Sequence, residues 1–233
     1  MIDDNTSTDV THRICAALTQ AMAEGALNPG MKILDDVIAG HFGVSRTVAR
    51  GAIAILERER LIDRKRNRGA FVAAPTISEA EYLLEARRIV ECAIVDRAVG
   101  TLSDQEMDRL EALTVEEDAI HAGSDNKAIR RNSGNFHLEL ARVAGNMVLH
   151  DILQNLMARL SLVAALYESR SVSCCGSNEH RAILAAIRDG DRPAAQNLML
   201  EHLQGIEASL DLEGGRDDKN SLSAVLAKFA PAG

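Results

Sequence analysis

Gly43-Val44-Ser45-Arg46-Thr47-Val48-Ala49-Arg50, followed downstream by Arg64-Lys65-Arg66-Asn67-Arg68-Gly69, is the stretch on which the fold turns. Gly43 ends a short helix that starts at Asp35 and reaches Phe42. Ser45 can cap the next helix, because its hydroxyl accepts a bond from a free first-turn amide. Val48, Ala49, Ala52, Ile53 and Leu56 recur at helical spacing and form one apolar stripe, in a helix predicted to run to about Arg60. Arg46, Thr47 and Arg50 lie off that stripe, with Arg46 and Arg50 one turn apart. Leu61-Ile62 and Ala70-Phe71-Val72-Ala73 read as two strands around a basic, glycine-containing tip. Turn, capped helix and basic hairpin, in that order, predict a winged helix-turn-helix.

Upstream, His12 to Glu24 has apolar residues at helical spacing, and Gly25 ends it. Asn28-Pro29-Gly30 is a turn, and Met31 to Leu34 is short and strand-like. The head therefore spans about 9–74.

Charge supports a division of labour. The chain of 233 residues carries a net charge of −8. From 41 to 70, eight Arg/Lys face three Asp/Glu, whereas from 76 to 233 the count is 16 basic against 25 acidic. A basic head on an acidic body predicts that only the head meets phosphate. Arg forks guanine in the major groove, and Thr reaches a phosphate or a thymine methyl. Ser45, Arg46, Thr47 and Arg50 fit a helix that docks by its N-terminus, whose amides also favour phosphate. Arg66 and Arg68 on the hairpin tip suit a neighbouring groove or backbone, and Gly69 permits close approach. The expected partner is a double-stranded DNA operator.

Hydrophobic residues make up 46% of the chain and aromatics only 3%, so aliphatic side chains must pack the core, which favours helices. No apolar run reaches the length of a membrane span, and the N-terminus is acidic and polar, which argues against a signal peptide. Cysteines at 15, 92, 174 and 175 lack zinc-finger or disulfide-framework spacing, and reduced thiols in the cytoplasm fit best.

Ala74-Pro75-Thr76 is a linker, assigned to 75–77, and everything after it reads as helix. Ser78-Glu79-Ala80-Glu81 and Ser103-Asp104-Gln105-Glu106 are candidate capping boxes, opening helices of about 78–99 and 103–122. Further helices are predicted over about 126–144, 147–169, 178–189 and from Asp191 to about Leu210, with Pro193 in the last one's first turn. Six helices with short links make an antiparallel bundle over 78–211. The tail, 212–233, is polar, with a short helix predicted at Leu222 to Phe229. The expected fold class is mainly α: a winged helix-turn-helix plus a six-helix bundle.

Three histidines sit on separate bundle helices: His137, His180 and His202. Three neutral imidazoles can bind one divalent ion and leave positions open. Spacing alone does not establish that they converge; surface or core histidines have the same spacing. His12, His41, His121 and His150 show no partner pattern and read as structural or surface residues.

Pro29-Gly30, Phe42-Gly43-Val44-Ser45-Arg46-Thr47, Arg50, Leu56-Glu57, Leu61-Ile62 and Arg68-Gly69-Ala70-Phe71-Val72 resemble the winged-helix domain of GntR-family transcription regulators, over about 12–74. The resemblance implies operator contacts by Arg46, Thr47, Arg50, Arg68 and Gly69. The family's usual Pro-Val-Arg-Glu is Val48-Ala49-Arg50-Gly51 here, and an arginine that some members carry on the preceding helix falls near Asp36. Operator sequence is therefore not carried over.

The second segment resembles the FCD effector domain of the FadR-type branch, over about 78–211. The resemblance rests on Glu85 to Glu91, Phe136-His137, Ala144-Gly145-Asn146, Glu179 to Leu184, Gly190-Asp191, Met199 and His202-Leu203. Six helices rather than seven resemble the VanR-type subgroup. The resemblance implies a metal, zinc or alternatively nickel, on His137, His180 and His202. The family's additional ligand, an Asp one turn before the first His, is Ser133 here. Loss of that carboxylate predicts a His-only site, more positive than usual and suited to an anionic effector. Arg87 matches the arginine that faces the effector cavity in this family, and an Arg fork suits a carboxylate. The alternative is an exposed salt bridge from Arg87 to Glu91. Asn132, Ser133, Asn155, Arg159 and Asn178 are candidate polar wall residues.

The function expected is a ligand-responsive regulator, in the main reading a repressor, that binds an inverted-repeat operator as a homodimer. Two alternatives are a direct metal sensor without organic effector and a metal-dependent enzyme fused to a DNA-binding head, for which Glu179 is a weak general base.

Overall fold

The computed structural model describes residues 4–122, 126–168 and 177–212. In the head, helix α1 (Asp4–Ala23) precedes strand β1 (Lys32–Ile33), helices α2 (Asp35–Phe42) and α3 (Arg46–Arg58), and strands β2 (Ile62–Lys65) and β3 (Gly69–Val72). α1 begins at Asp4, about two turns before the His12 start read from the apolar pattern.

Gly43 closes α2 in the left-handed region at φ 65°, and its N–H bonds the Ala39 carbonyl. Ser45 then starts α3 by accepting from the Val48 amide at 3.4 Å. α3 buries Ala49, Ala52, Ile53 and Leu56. Burial of Ile53 and Leu56 stabilises the head by about 1.5–3 kcal/mol each. The three strands form an antiparallel sheet in the order β1-β3-β2, with Lys65 paired to Gly69 at the wing tip.

Six helices follow, α4 (Ile77–Ala98), α5 (Asp104–Ala122), α6 (Asn126–Val143), α7 (Met147–Tyr167), α8 (Ser177–Arg188) and α9 (Arg192–Ala208). Their order and bounds agree with the periodicity to within a few residues. One cap differs. α4 is capped by Thr76, which accepts from the Glu79 amide while Glu79 reaches back to the Thr76 amide. Thr76-x-x-Glu79 satisfies the same pattern as Ser78-x-x-Glu81 and starts the helix directly after Pro75. At α5 the expected box, Ser103 with Glu106, is present. Asn146 caps α7 and Asp191 caps α9. Cys174, Cys175 and the tail helix expected at 222–229 lie outside the described residues.

The bundle core joins Ile94, Leu110, Phe136, Leu140, Leu153, Ile183 and Met199 from all six helices. α7 serves both parts of the molecule. Its Leu156, Leu160 and Val163 pack against α4, whereas Leu162 belongs to the apolar core of the head. Asn155 of α7 also donates to the Glu59 carbonyl at the end of α3. Among the described residues no helix is long and apolar enough to cross a membrane.

Candidate nucleic-acid interface and metal centre

The head presents Ser45, Arg46, Thr47 and Arg50 as exposed residues on one end of α3. Arg46 and Arg50 share one acceptor on α2. Asp35 takes Arg46 through one oxygen at 2.9 Å and Arg50 through the other at 2.5 Å. Those hydrogen bonds hold the Asp35 carboxyl down to about 2. Asp35 was not singled out from sequence, although it begins the helix that packs on α3. Arg66 and Arg68 are exposed at the wing tip, and Asn67 between them adopts φ 58°. Gly69 sits at φ 97°, a conformation that disfavours side chains, so its glycine identity is a backbone requirement. Lys65 and Arg68 both lie over the Phe71 ring, at 5.1 and 5.9 Å from its centroid. The wing's cations are thus supported from beneath by an aromatic face.

In the bundle, α6, α8 and α9 bring His137, His180 and His202 together. Their Nε2 atoms face one another, 3.1 Å from His137 to His202 and 3.2 Å from His180 to His202. All three are buried. Each Nδ1 meets a carboxylate: His137 meets Glu91 of α4, His180 meets Glu117 of α5 at 2.8 Å, and His202 meets Glu179 of α8 at 2.7 Å. A carboxylate accepts, so each Nδ1 carries the proton and each Nε2 turns a lone pair toward the centre. Three lone pairs converging in a buried space repel one another unless a cation lies among them. Carboxylate-backed imidazoles are also the usual arrangement behind metal-ligating histidines. The donor set therefore fits a divalent metal. Phe136 stacks on the His180 ring at 4.0 Å between centroids and fixes its plane.

Electrostatics keep these groups in the state a metal needs. Burial first, then Arg87 and His202, drives the His137 imidazole down to about 3 against the pull of Glu91. Burial first and His180 next lower His202. For Glu91, burial acts upward but is outweighed by the Arg87 guanidinium and by the hydrogen bonds that Arg87 and His137 donate, which hold it below the usual carboxylate range. Three glutamates stand behind the three histidines. None of the three was proposed as a histidine partner from sequence, and Glu179, weighed as a general base, is committed to His202 instead.

Arg87 is not on an exposed salt bridge. It is 6% exposed and donates from Nε to Glu91, at 2.5 Å, one turn along α4. Arg87, Ser133 and Asn155 line a cavity of about 920 Å³ between the bundle and α1. The other candidate wall residues do not line it. Asn132 is buried and donates to the Leu113 carbonyl. Asn178 is exposed and accepts from Arg181. Arg159 is half-buried on α7, outside the cavity lining. His12 and His41 are exposed, and His150 contacts Asp151 at 3.1 Å. The side chain of His121 lies outside the described residues.

A winged helix-turn-helix joined to a helical bundle with a buried three-histidine centre defines a two-part DNA-binding regulator. The chain belongs to the GntR family of bacterial regulatory proteins and carries an FCD domain: residues 10–72 match the first description and 82–205 the second. It is 27% identical over 217 residues to the Uxu operon regulator of Haemophilus influenzae, covering 85% of this chain and 80% of that protein. It is 23% identical over 207 residues to the HTH-type transcriptional repressor RspR of Escherichia coli, covering 88% and 91%. Among solved structures, E. coli McbR/YncC superposes with a TM-score of 0.76 at 20% identity, over 85% of this chain and 95% of that one, which shows the shared fold. The family consists of transcription regulators, not enzymes.

Proposed function

We propose that this chain is a metal-containing, ligand-responsive repressor that binds an inverted-repeat operator as a homodimer. The observation that carries the ligand-responsive part is the convergence of three Nε2 lone pairs in the same bundle that contributes Arg87 and Ser133 to a cavity. His137, His180 and His202 hold one divalent ion, zinc in first place and nickel in second, since imidazole suits both. Ser133 is one turn before His137, and Arg87 bonds Glu91, the carboxylate behind His137, so both are tied through one neighbour to the histidine cluster. A small carboxylate seated there meets the guanidinium and an open coordination position together.

Arg46, Thr47 and Arg50 read the major groove, with Ser45 holding the start of α3, while Arg66, Arg68 and Gly69 bring the wing to the flanking backbone. RspR is a repressor by its name, which favours the same sign here. The boundaries 9–74, 75–77 and 78–211 divide head, linker and effector domain, with 212–233 as a tail. The chain acts in the cytoplasm, where its DNA lies.

The reading is tested by elemental analysis of purified, untagged protein, followed by operator titration with carboxylates. About one zinc or nickel per chain, with operator affinity altered by a carboxylate only in the metal-loaded form, is the expected result. Operator affinity that responds to metal alone and to no carboxylate favours a direct metal sensor. Protein that rejects both metals overturns the metal-centred site.

A further inference from the structure

The junction between head and bundle carries two cations that neither the recognition surface nor the histidine centre uses. α7 meets the head along one stripe. Asn155 bonds the Glu59 carbonyl, and Ala158 and Leu162 pack in the apolar core of the head. Arg159 lies on that stripe, one turn beyond Asn155, and is half-buried. Arg60 follows Glu59 at the end of α3, so it emerges at the same junction. Glu79 is the third charge, next to Ala80, which packs against α7 residues Leu156 and Leu160. Both arginines act on the Glu79 carboxyl, and Arg60 and Glu79 both act on Arg159.

Two positive charges therefore share one negative charge. Glu79 is already engaged, since its Oε2 accepts from both the amide and the hydroxyl of Thr76. Neither guanidinium donates a hydrogen bond to any described residue. Glu59 lines the cavity on the α1 side instead, where its charge acts on the Cys15 thiol. Nor does the backbone ask for arginine at position 60. Arg60 sits at φ 61° just past the end of α3, where the Leu61 amide bonds the Leu56 carbonyl at 2.9 Å. A helix that closes in this way favours glycine, because a Cβ is strained there. DNA does not account for it either, since Arg60 lies about 20 Å along α3 from Ser45, at the end away from the bases.

We propose that Arg60 and Arg159 form a binding site for a small tetrahedral oxyanion, a phosphate group, held between head and bundle. Each guanidinium is a planar fork of N–H donors. One fork is matched by the two coplanar oxygens of a carboxylate. Two forks from separate elements are matched by an anion whose oxygens point in several directions. The anion takes one fork from the head and one from the bundle, so it fixes α3 relative to α7. The site is separate from the carboxylate reading above, because neither arginine lines that cavity and neither touches the histidines.

The test is calorimetric titration of the full-length chain, at constant ionic strength, with inorganic phosphate, glycerol 2-phosphate and acetate. Phosphate is expected to bind with a dissociation constant of about 1 mM, the worth of two charge-assisted hydrogen bonds. The tighter of the two phosphates identifies the source as free ion or ester, and either supports the site. Arg60→Gly and Arg159→Gln should each weaken phosphate by about tenfold or more. Arg60→Gly should also raise the urea midpoint in phosphate-free buffer, since it relieves the left-handed residue. Chelator-treated, dialysed protein should bind phosphate as tightly as untreated protein. Phosphate binding unchanged in both variants, acetate binding as tightly as phosphate, or binding lost with the metal overturns the site. A lower midpoint for Arg60→Gly overturns it too, by making Arg60 a structural partner of Glu79.

Discussion

Arg50 donates its Nε to Asp35 at 2.5 Å, and the other oxygen of the same carboxylate takes Arg46. One acidic residue thus sets the angle of both arginines expected to face bases. With Nε engaged, Arg50 keeps its terminal nitrogens for guanine; Arg46 keeps Nε and one terminal nitrogen. Asp35→Ala frees both side chains and removes a negative charge facing phosphate. Binding to random duplex should therefore tighten, and the ratio of operator to random affinity should fall by about tenfold, the low end of what a good base contact discriminates. Fluorescence anisotropy on an operator selected from a random library, at two salt concentrations, measures both. An unchanged ratio would show that Asp35 does not position the arginines.

Replacing an arginine itself has a different signature. Arg46→Ala or Arg50→Ala should weaken operator binding by about 1–3 kcal/mol each and relax the base preference at one position. Zinc content should stay at the wild-type level, because both residues are exposed on the head and pair with Asp35 of α2. Retained sequence preference in both variants would sink the recognition-helix assignment.

The carboxylates behind the histidines make a separate prediction. Glu117 is buried and holds His180 by Nδ1. Glu117→Gln keeps the shape but weakens the acceptor and the orientation of the ring. Zinc affinity should fall by about 10- to 100-fold, as such partners generally contribute. Glu179 is half-exposed, so Glu179→Gln should cost less than Glu117→Gln at the same kind of contact. Competition against a chromophoric chelator orders the two. Equal affinities for wild type and Glu117→Gln would mean that these glutamates serve packing and not the metal.

Much of this arrangement was legible in the sequence, and what was missed has a common cause. Ser45, Gly43 and the α3 stripe depend on neighbours within one or two turns, so their pattern suffices. The partners of the histidines do not: Glu91 and His137 are 46 residues apart, and Glu117 and His180 are 63 apart. Periodicity holds a trace of them nonetheless. Arg87 and Glu91 fall in the same inward stripe of α4 as Leu84 and Ile94, where only paired charges survive. Read that way, the stripe announces a buried ionic centre without saying which helix completes it. Asn178 and Arg159 lie outside the lining of the cavity for the converse reason, since residue type says nothing of helical face.

Protonation separates the metal-free protein from the loaded one. His137 is held neutral in the fold down to about 3, chiefly by burial, whereas an unfolded imidazole takes a proton near 6.5. Between those values the unfolded chain binds more protons than the folded one, so stability falls as pH falls. Glu91, held below the usual carboxylate range, adds in the same direction below about 4.5. Chelator-treated protein should therefore show a lower urea midpoint at about pH 5.5 than at about pH 7.5. Zinc-loaded protein should lose more over the same interval, because protons compete with the metal for the histidines. A metal-free midpoint that holds or rises on acidification would contradict neutral, buried imidazoles.

Leu162 carries the mechanical link between the two parts of the molecule. It lies on α7, a helix of the bundle, yet it is fully buried in the apolar core that includes Ile53 and Leu56 of α3. Ala158, one turn away, packs on the same core, and Asn155 bonds the end of α3. Movement of α7 must then reach the recognition helix through packed side chains, since a close-packed contact shifts as a unit. Leu162→Ala removes most of that contact and should cost about 2–5 kcal/mol of stability. Leu162 is not among the residues of the bundle's own apolar core, so zinc should still bind as in wild type. Operator affinity should then stop responding to carboxylate, although the variant still binds both partners singly. Measuring operator affinity with and without ligand, in wild type and in Leu162→Ala, separates the two effects. A full ligand response in a destabilised variant would place the coupling elsewhere, at α1 or at the linker, where Tyr167 donates to the Pro75 carbonyl.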